Sequence, residues 1–157
     1  MRALIPTLTA ILIFVLSSTA QEPHSEDLRL FAERLSVLIS QKDLDSILAL
    51  YYFEGTPDNL QQNAVSRWTI FLRQTHFEEQ FRGVEAVSIE QFRAARGGVN
   101  ERTEKYVGST QIDGVMYERN APVTGVVLVR FGTACYVYPV GFTTDGRLHL
   151  LGKKKTG

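Results

Sequence analysis

Few side chains in this 157-residue chain carry the chemistry of a catalyst or a metal ligand, and their spacing decides how to read them. Three histidines are present: His24, His76 and His149. His24 precedes the first helical pattern and reads as exposed. His76 falls at the end of a helical pattern, where an imidazolium would meet the negative pole of the helix dipole. His149 alternates with Leu148 and Leu150, so it faces away from the side the leucines bury. No pair stands in a His-x-x-x-His spacing, and no metal site is expected. No Gly-x-Ser-x-Gly elbow, phosphate loop or dinucleotide fingerprint occurs, so no cofactor is expected. Cys135 is the single cysteine, which excludes an internal disulfide. It lies in an apolar run and is expected to act as a small buried hydrophobe. As a nucleophile it would need His76 or His149 beside it. An intermolecular disulfide is its other use.

The residues best placed to line a pocket are Tyr106, Tyr117, Arg130, Tyr136, Tyr138 and His149, all on segments read as strand. Arg130 is the most unusual of them. By alternation it shares a face with Val126 and Leu128. A buried arginine needs a carboxylate, for which Glu90 or Glu118 could serve. Arg130 is then expected to anchor an acidic ligand in an apolar cone, or else to snorkel to solvent. Arg93, Arg96, Arg102 and Lys105 surround Gly97-Gly98, and such a loop could hold an anion on its backbone N–H groups. The preferred reading is a solvated loop, because no nucleotide-type motif matches. Asp43 and Asp45 flank a helix junction and read as caps. Glu78, Glu79 and Arg82 read as a solvated helix end.

Positioning these residues requires a framework. Ser25 is expected to cap a helix over residues 25–41, with Glu26 and Asp27 in its first turn and Leu28, Phe31, Leu35, Leu38 and Ile39 along one face. Asp43 should cap a second helix carrying Leu44, Ile47, Leu48 and Tyr51, which ends near Phe53. Thr56 and Pro57 should open a third, with Leu60, Ala64, Trp68, Phe71 and Leu72 inward, fading near His76. Beyond it the pattern turns to strands over residues 84–92, 104–108, 115–119, 123–131, 134–142 and 147–152. Residues 93–103 are expected to be a loop. Pro139 predicts an edge or a bulge, and Asp145-Gly146 a hairpin turn. Residues 153–157 read as a solvated basic tail. Helices followed by a meander predict an α+β fold: three N-terminal helices on a curved antiparallel sheet of four to six strands. The strand at 123–131 is apolar on both faces, which demands strong curling or a partner chain to cover it.

Residues 1–20 have the layout of a secretory signal peptide. Met1-Arg2 lead an apolar run, and Ser18 and Ala20 fit a cleavage site after Ala20. The run is too short to span a membrane, so no stable anchor is expected after cleavage. Residues 21–152 then form a single domain, secreted or periplasmic. Lys plus Arg and Asp plus Glu are balanced at 17 each, which gives nucleic acid no basic surface to meet.

The segment 38–52, Leu-Ile-Ser-Gln-Lys-Asp-Leu-Asp-Ser-Ile-Leu-Ala-Leu-Tyr-Tyr, resembles the N-terminal helical pair of NTF2-like (SnoaL-like) domains. The order of helices and strands is similar too. The resemblance implies a cone of helices and curved sheet, in which such enzymes place a short strand after the second helix and point acids or histidines inward. Here Glu54-Gly55-Thr56-Pro57 runs on towards the third helix, and no catalytic set matches residue by residue. The late Tyr138-Pro139-Val140-Gly141 strand is also similar to one in small uncharacterised secreted bacterial proteins. A non-enzymatic module binding a small molecule or an envelope protein is therefore expected. The alternatives are an NTF2-like isomerase, dehydratase or hydrolase, and an assembly domain that forms a homodimer through its sheet.

Overall fold

A computed structural model describes residues 24–157; the signal-peptide reading of residues 1–20 lies outside them. The elements in order are α1 (Ser25–Ser40), α2 (Leu44–Leu48), β1 (Tyr51–Tyr52), α3 (Asp58–Leu72), α4 (Phe77–Gln80), β2 (Phe81–Ser88), α5 (Ile89–Ala95), α6 (Glu101–Val107), β3 (Thr110–Ile112), β4 (Val115–Arg119), β5 (Gly125–Phe131), β6 (Ala134–Phe142), β7 (Leu148–Leu151) and β8 (Lys153–Lys155). The fold is α+β. Two sheets replace the single expected one: a five-stranded sheet in the order β1-β7-β6-β5-β2 and a three-stranded sheet β3-β4-β8. The first is mixed, because β1 runs parallel to β7.

The helical stripe on α1 works as its spacing implies: Leu28, Phe31, Leu35 and Ile39 are buried. His24, not Ser25, occupies the N-cap position, without a side-chain cap. Asp43 caps α2 by accepting from the Ser46 N–H at 3.1 Å. That helix ends at Leu48, not near Phe53, and the next residues form β1. Pro57 stands at the N-cap of α3 without a side-chain bond; the Thr56 hydroxyl is instead near the Asn120 amide, 3.3 Å away. α3 stops at Leu72. His76 sits at the N-cap of α4 in the left-handed region, φ 55°, at the opposite dipole pole from the one expected.

The largest correction concerns residues 84–108. β2 stops at Ser88, whose hydroxyl and the Gln91 side chain form a capping box that starts α5. Asn100 and Thr103 make a second box that starts α6. Residues 104–108, read as a strand, are thus mostly helical. Of the proposed anion loop, Arg93 pairs with Glu104 at 3.1 Å and Arg96 lies 5.3 Å from the Phe92 ring centre.

These two short helices solve the problem of β5. Val127, Val129 and Phe131 pack with α1, α2 and α3 residues such as Leu35, Ile47 and Trp68. Val126 and Leu128, on the other face, pack with Ile89 and Phe92 of α5 and Val107 of α6. The chain covers both faces of its central strand itself. The β5–β6 turn is the tight two-residue Gly132-Thr133, with Gly132 at φ 57°. Lys153–Lys155, read as a solvated tail, form β8 against β4.

Candidate ligand cavity in a forked sheet

β6 and β7 pair over only three residues each: Val140 with Leu150, Gly141 with His149, Phe142 with Leu148. The ladder then stops at Pro139, which has no N–H and cannot sustain hydrogen bonding on two sides. This is the edge that the proline predicts. From there β6 runs back to Ala134 held by β5 alone. β7 goes on beside β1 as far as Leu151 and crosses at Gly152 into β8 beside β4. The crossing admits no side chain, since a Cβ on Gly152 would lie 2.2 Å from Thr56 Oγ1.

The diverging arms form a fork that encloses about 710 Å³. Cys135 to Pro139 line one arm and Leu150 to Lys153 the other. α3 contributes Leu60, Ala64, Arg67, Trp68 and Phe71, and Tyr106 of α6 with Thr110 and Ile112 of β3 complete the lining. One wall is aromatic. Trp68 stacks on Tyr138 with ring centres 4.9 Å apart and donates its indole N–H to Tyr51 Oη at 2.9 Å. Phe71 meets Tyr136 edge to face at 5.5 Å.

The charge in the cavity has one sign. Its described lining includes Arg67, Lys105, Arg119 and Lys153, and no Asp, Glu or His. Arg119 donates through Nη2 to the Tyr106 carbonyl at 2.6 Å and through Nη1 to the Leu151 carbonyl at 3.3 Å. Its Nε is buried without a partner. Burial lowers its pKa to about 10. Lys153 stands directly opposite Arg119 in the β4–β8 ladder. Burial first, then Arg119 and Arg67, lower its pKa to about 8. Burial raises the Tyr51 phenol to about 12 and pushes the Tyr138 phenol up as well.

Three of the six residues singled out from sequence line this cavity: Tyr106, Tyr136 and Tyr138. Tyr117 is buried in the small sheet, opposite Thr110 and Lys155, outside the lining. His149 is also outside it. Its Nε2 meets Asp145 at 2.8 Å and its Nδ1 is buried without a partner. The Thr143 hydroxyl, the Arg147 N–H and His149 together hold the Asp145 carboxyl well below the usual carboxylate range. Arg130 is exposed and bound through Nε and Nη2 to Glu85, at 3.1 and 3.0 Å, not to Glu90 or Glu118. α5 and α6 cover that sheet face around Val126 and stop short of Arg130. Cys135 is exposed, contrary to the buried hydrophobe expected.

Sequence reasoning did not single out Arg67, Arg119 or Lys153. For Arg119 a signal existed, because alternation along β4 places it on the same face as the buried Tyr117. Arg67 and Lys153 join the site only through the fold. Among the described residues no helix is long and apolar enough to cross a membrane. No protein-family model matches the chain, and no curated protein or solved structure matches it at a significant level.

Proposed function

We propose that this chain is a non-enzymatic binding module that holds a small molecule in the fork between β6 and β7–β8. One observation carries the reading. The fork leaves about 710 Å³ between aromatic walls, a size suited to small-molecule ligands. With it goes the export reading: residues 1–20 direct the chain out of the cytoplasm, and the working protein starts at Gln21. The NTF2-like relationship is part of the same proposal. In its favour, the short strand β1 follows the second helix, where such domains place one.

Native mass spectrometry of the chain recovered from the cells that make it tests the reading. We expect an extra mass on each chain, lost in Ala64→Trp, which would fill the cavity from α3. A clean monomer mass would refute the binding role. A clean dimer mass would favour assembly through the sheet. The same spectra test export, since the lightest form should begin at Gln21.

Lys153 supports a second, enzymatic reading. An amine with a pKa of about 8 beside other cations can add to a carbonyl at neutral pH. Borohydride reduction in the presence of an oxo acid would fix such an adduct on Lys153. An unmodified Lys153 peptide would remove this reading.

A further inference from the structure

We infer that Arg67, Arg119 and Lys153 form a receptor for the oxyanion of a small organic acid, whose flat apolar body lies against Trp68, Tyr136 and Tyr138. The inference rests on the binding reading above and supplies the ligand's chemical class.

The three cations come from α3, β4 and β8, yet all line one cavity. Several cations elsewhere in the fold are paired with a carboxylate, and other exposed ones are not. Arg93 meets Glu104, Arg130 meets Glu85, Lys42 meets Glu78 and Lys154 meets Glu118. Among the described residues neither the three cavity cations nor Lys105, the fourth cation of the lining, has an ion-pair partner. Arg119 and Lys153 are cross-strand partners, and like charges placed directly opposite destabilise a sheet. A role for Arg119 as a clamp on the carbonyls of Tyr106 and Leu151 accounts for two of its five N–H groups. It does not account for the partnerless Nε, nor for a lysine set against it. Arg119 is largely buried and Lys153 half buried, while Arg67 is exposed on α3, and burying the uncompensated charge of the first two is costly. A cavity arranged this way is completed by an anion, and its positive potential would draw one in. The aromatic wall gives the rest of the ligand its shape: flat and apolar, matched to ring faces.

The groups facing Lys153 set how binding changes with pH. Arg119 on β4 and Arg67 on α3 act on it directly, and Lys105 and Tyr106 on α6, Tyr51 on β1, and Cys135, Tyr136 and Tyr138 on β6 share its cavity. Tyr51 and Tyr138 are held neutral and Arg119 stays charged around neutral pH, whereas Lys153 loses its charge as the solution becomes mildly alkaline.

Isothermal titration of the folded chain with 2-naphthoate, 2-naphthyl phosphate and the neutral 2-naphthamide tests the inference. At about pH 7 both acids should bind at least about tenfold tighter than the amide. Arg67→Gln and Lys153→Gln should each narrow that ratio several-fold. Arg130→Gln, outside the cavity, should leave it alone. The ratio should also fall between about pH 7 and about 9.5, and Lys153→Arg should abolish that fall. Arg119→Gln removes two hydrogen bonds and risks the fold, so the other two variants carry the test. A phosphate that binds tighter than the carboxylate still supports the receptor and assigns it a dianion. Equal affinity for acids and amide would overturn the anion receptor and leave the binding reading standing. No binding of any of the three at about 1 mM would overturn both.

Discussion

The interior of this molecule is of two kinds. Between α1, α2 and the five-stranded sheet, Leu35, Ile39, Ile47, Val127, Val129 and Val140 exclude solvent completely. Between α3 and the fork the walls carry phenols, an indole and unpaired cations around open space. A single strand divides the two. Val140 of β6 pairs on both sides and Gly141 and Phe142 pair with β7, while residues 134–139 pair only with β5. The contrast shows how a small domain can separate stability from recognition. Aliphatic side chains without polar atoms pack to crystal-like density and hold the fold. Groups that are expensive to bury are gathered where a strand edge has been left open.

The contrast breaks if the two interiors respond alike to changes of volume. Leu35→Ala should cost about 3 kcal/mol in urea unfolding, because the tight core cannot collapse around the gap. It should leave ligand affinity unaltered. Ala64→Trp would be severe in such a core, yet facing the cavity it should cost less than about 1 kcal/mol. If the two losses are equal, the fork is packed and not hollow.

Tyr51→Phe comes next in size. It leaves the buried Trp68 N–H without its acceptor, so a loss of about 2 kcal/mol is expected by thermal or urea unfolding. The lysine effect is smaller. Its folded pKa of about 8 lies below the ordinary 10.5, so the unfolded chain binds the extra proton between those values. Stability should therefore rise with pH from about 8 to about 10. For an amine only half buried, with solvent screening allowed for, the gain should be about 1 kcal/mol. Above about 10 the buried Tyr51, raised to about 12, reverses the slope, because the unfolded phenol ionises first. Lys153→Met should flatten the rise in urea midpoints. The smallest effect belongs to Arg130→Ala. Its pair with Glu85 is about half exposed, so stability should change by less than about 0.5 kcal/mol, with no change in ligand profile.

Much of the scaffold was legible because local periodicity agrees with tertiary burial. The stripe on α1 and the alternation on β5 and β6 each describe a face that is in fact covered. Residues 89–107 were harder. Their helices are seven residues each, too short for periodicity to show, and Gly97-Gly98 between them looks like loop chemistry. The capping pairs Ser88 with Gln91 and Asn100 with Thr103 were the available signals. The site divides in the same way. Tyr136 and Tyr138 stand out because they alternate along β6, whereas Tyr106 reaches the site from α6. Its cations come from positions 67, 119 and 153, and only the path of the chain brings them together. Arg130 was misplaced for a related reason: alternation identifies its face but not how far a covering helix extends along it.

The position of β7 also governs the order in which the protein can be completed. It follows β1 by about a hundred residues, yet it lies between β1 and β6 in the five-stranded sheet. Until Leu151 has left the ribosome, Tyr51 and Tyr52 have no strand to pair with, and β6 is bordered by β5 alone. Closing the sheet then joins residues about a hundred positions apart, a slow step for a growing chain. A nascent chain built this way cannot close its five-stranded sheet until β7 has been made.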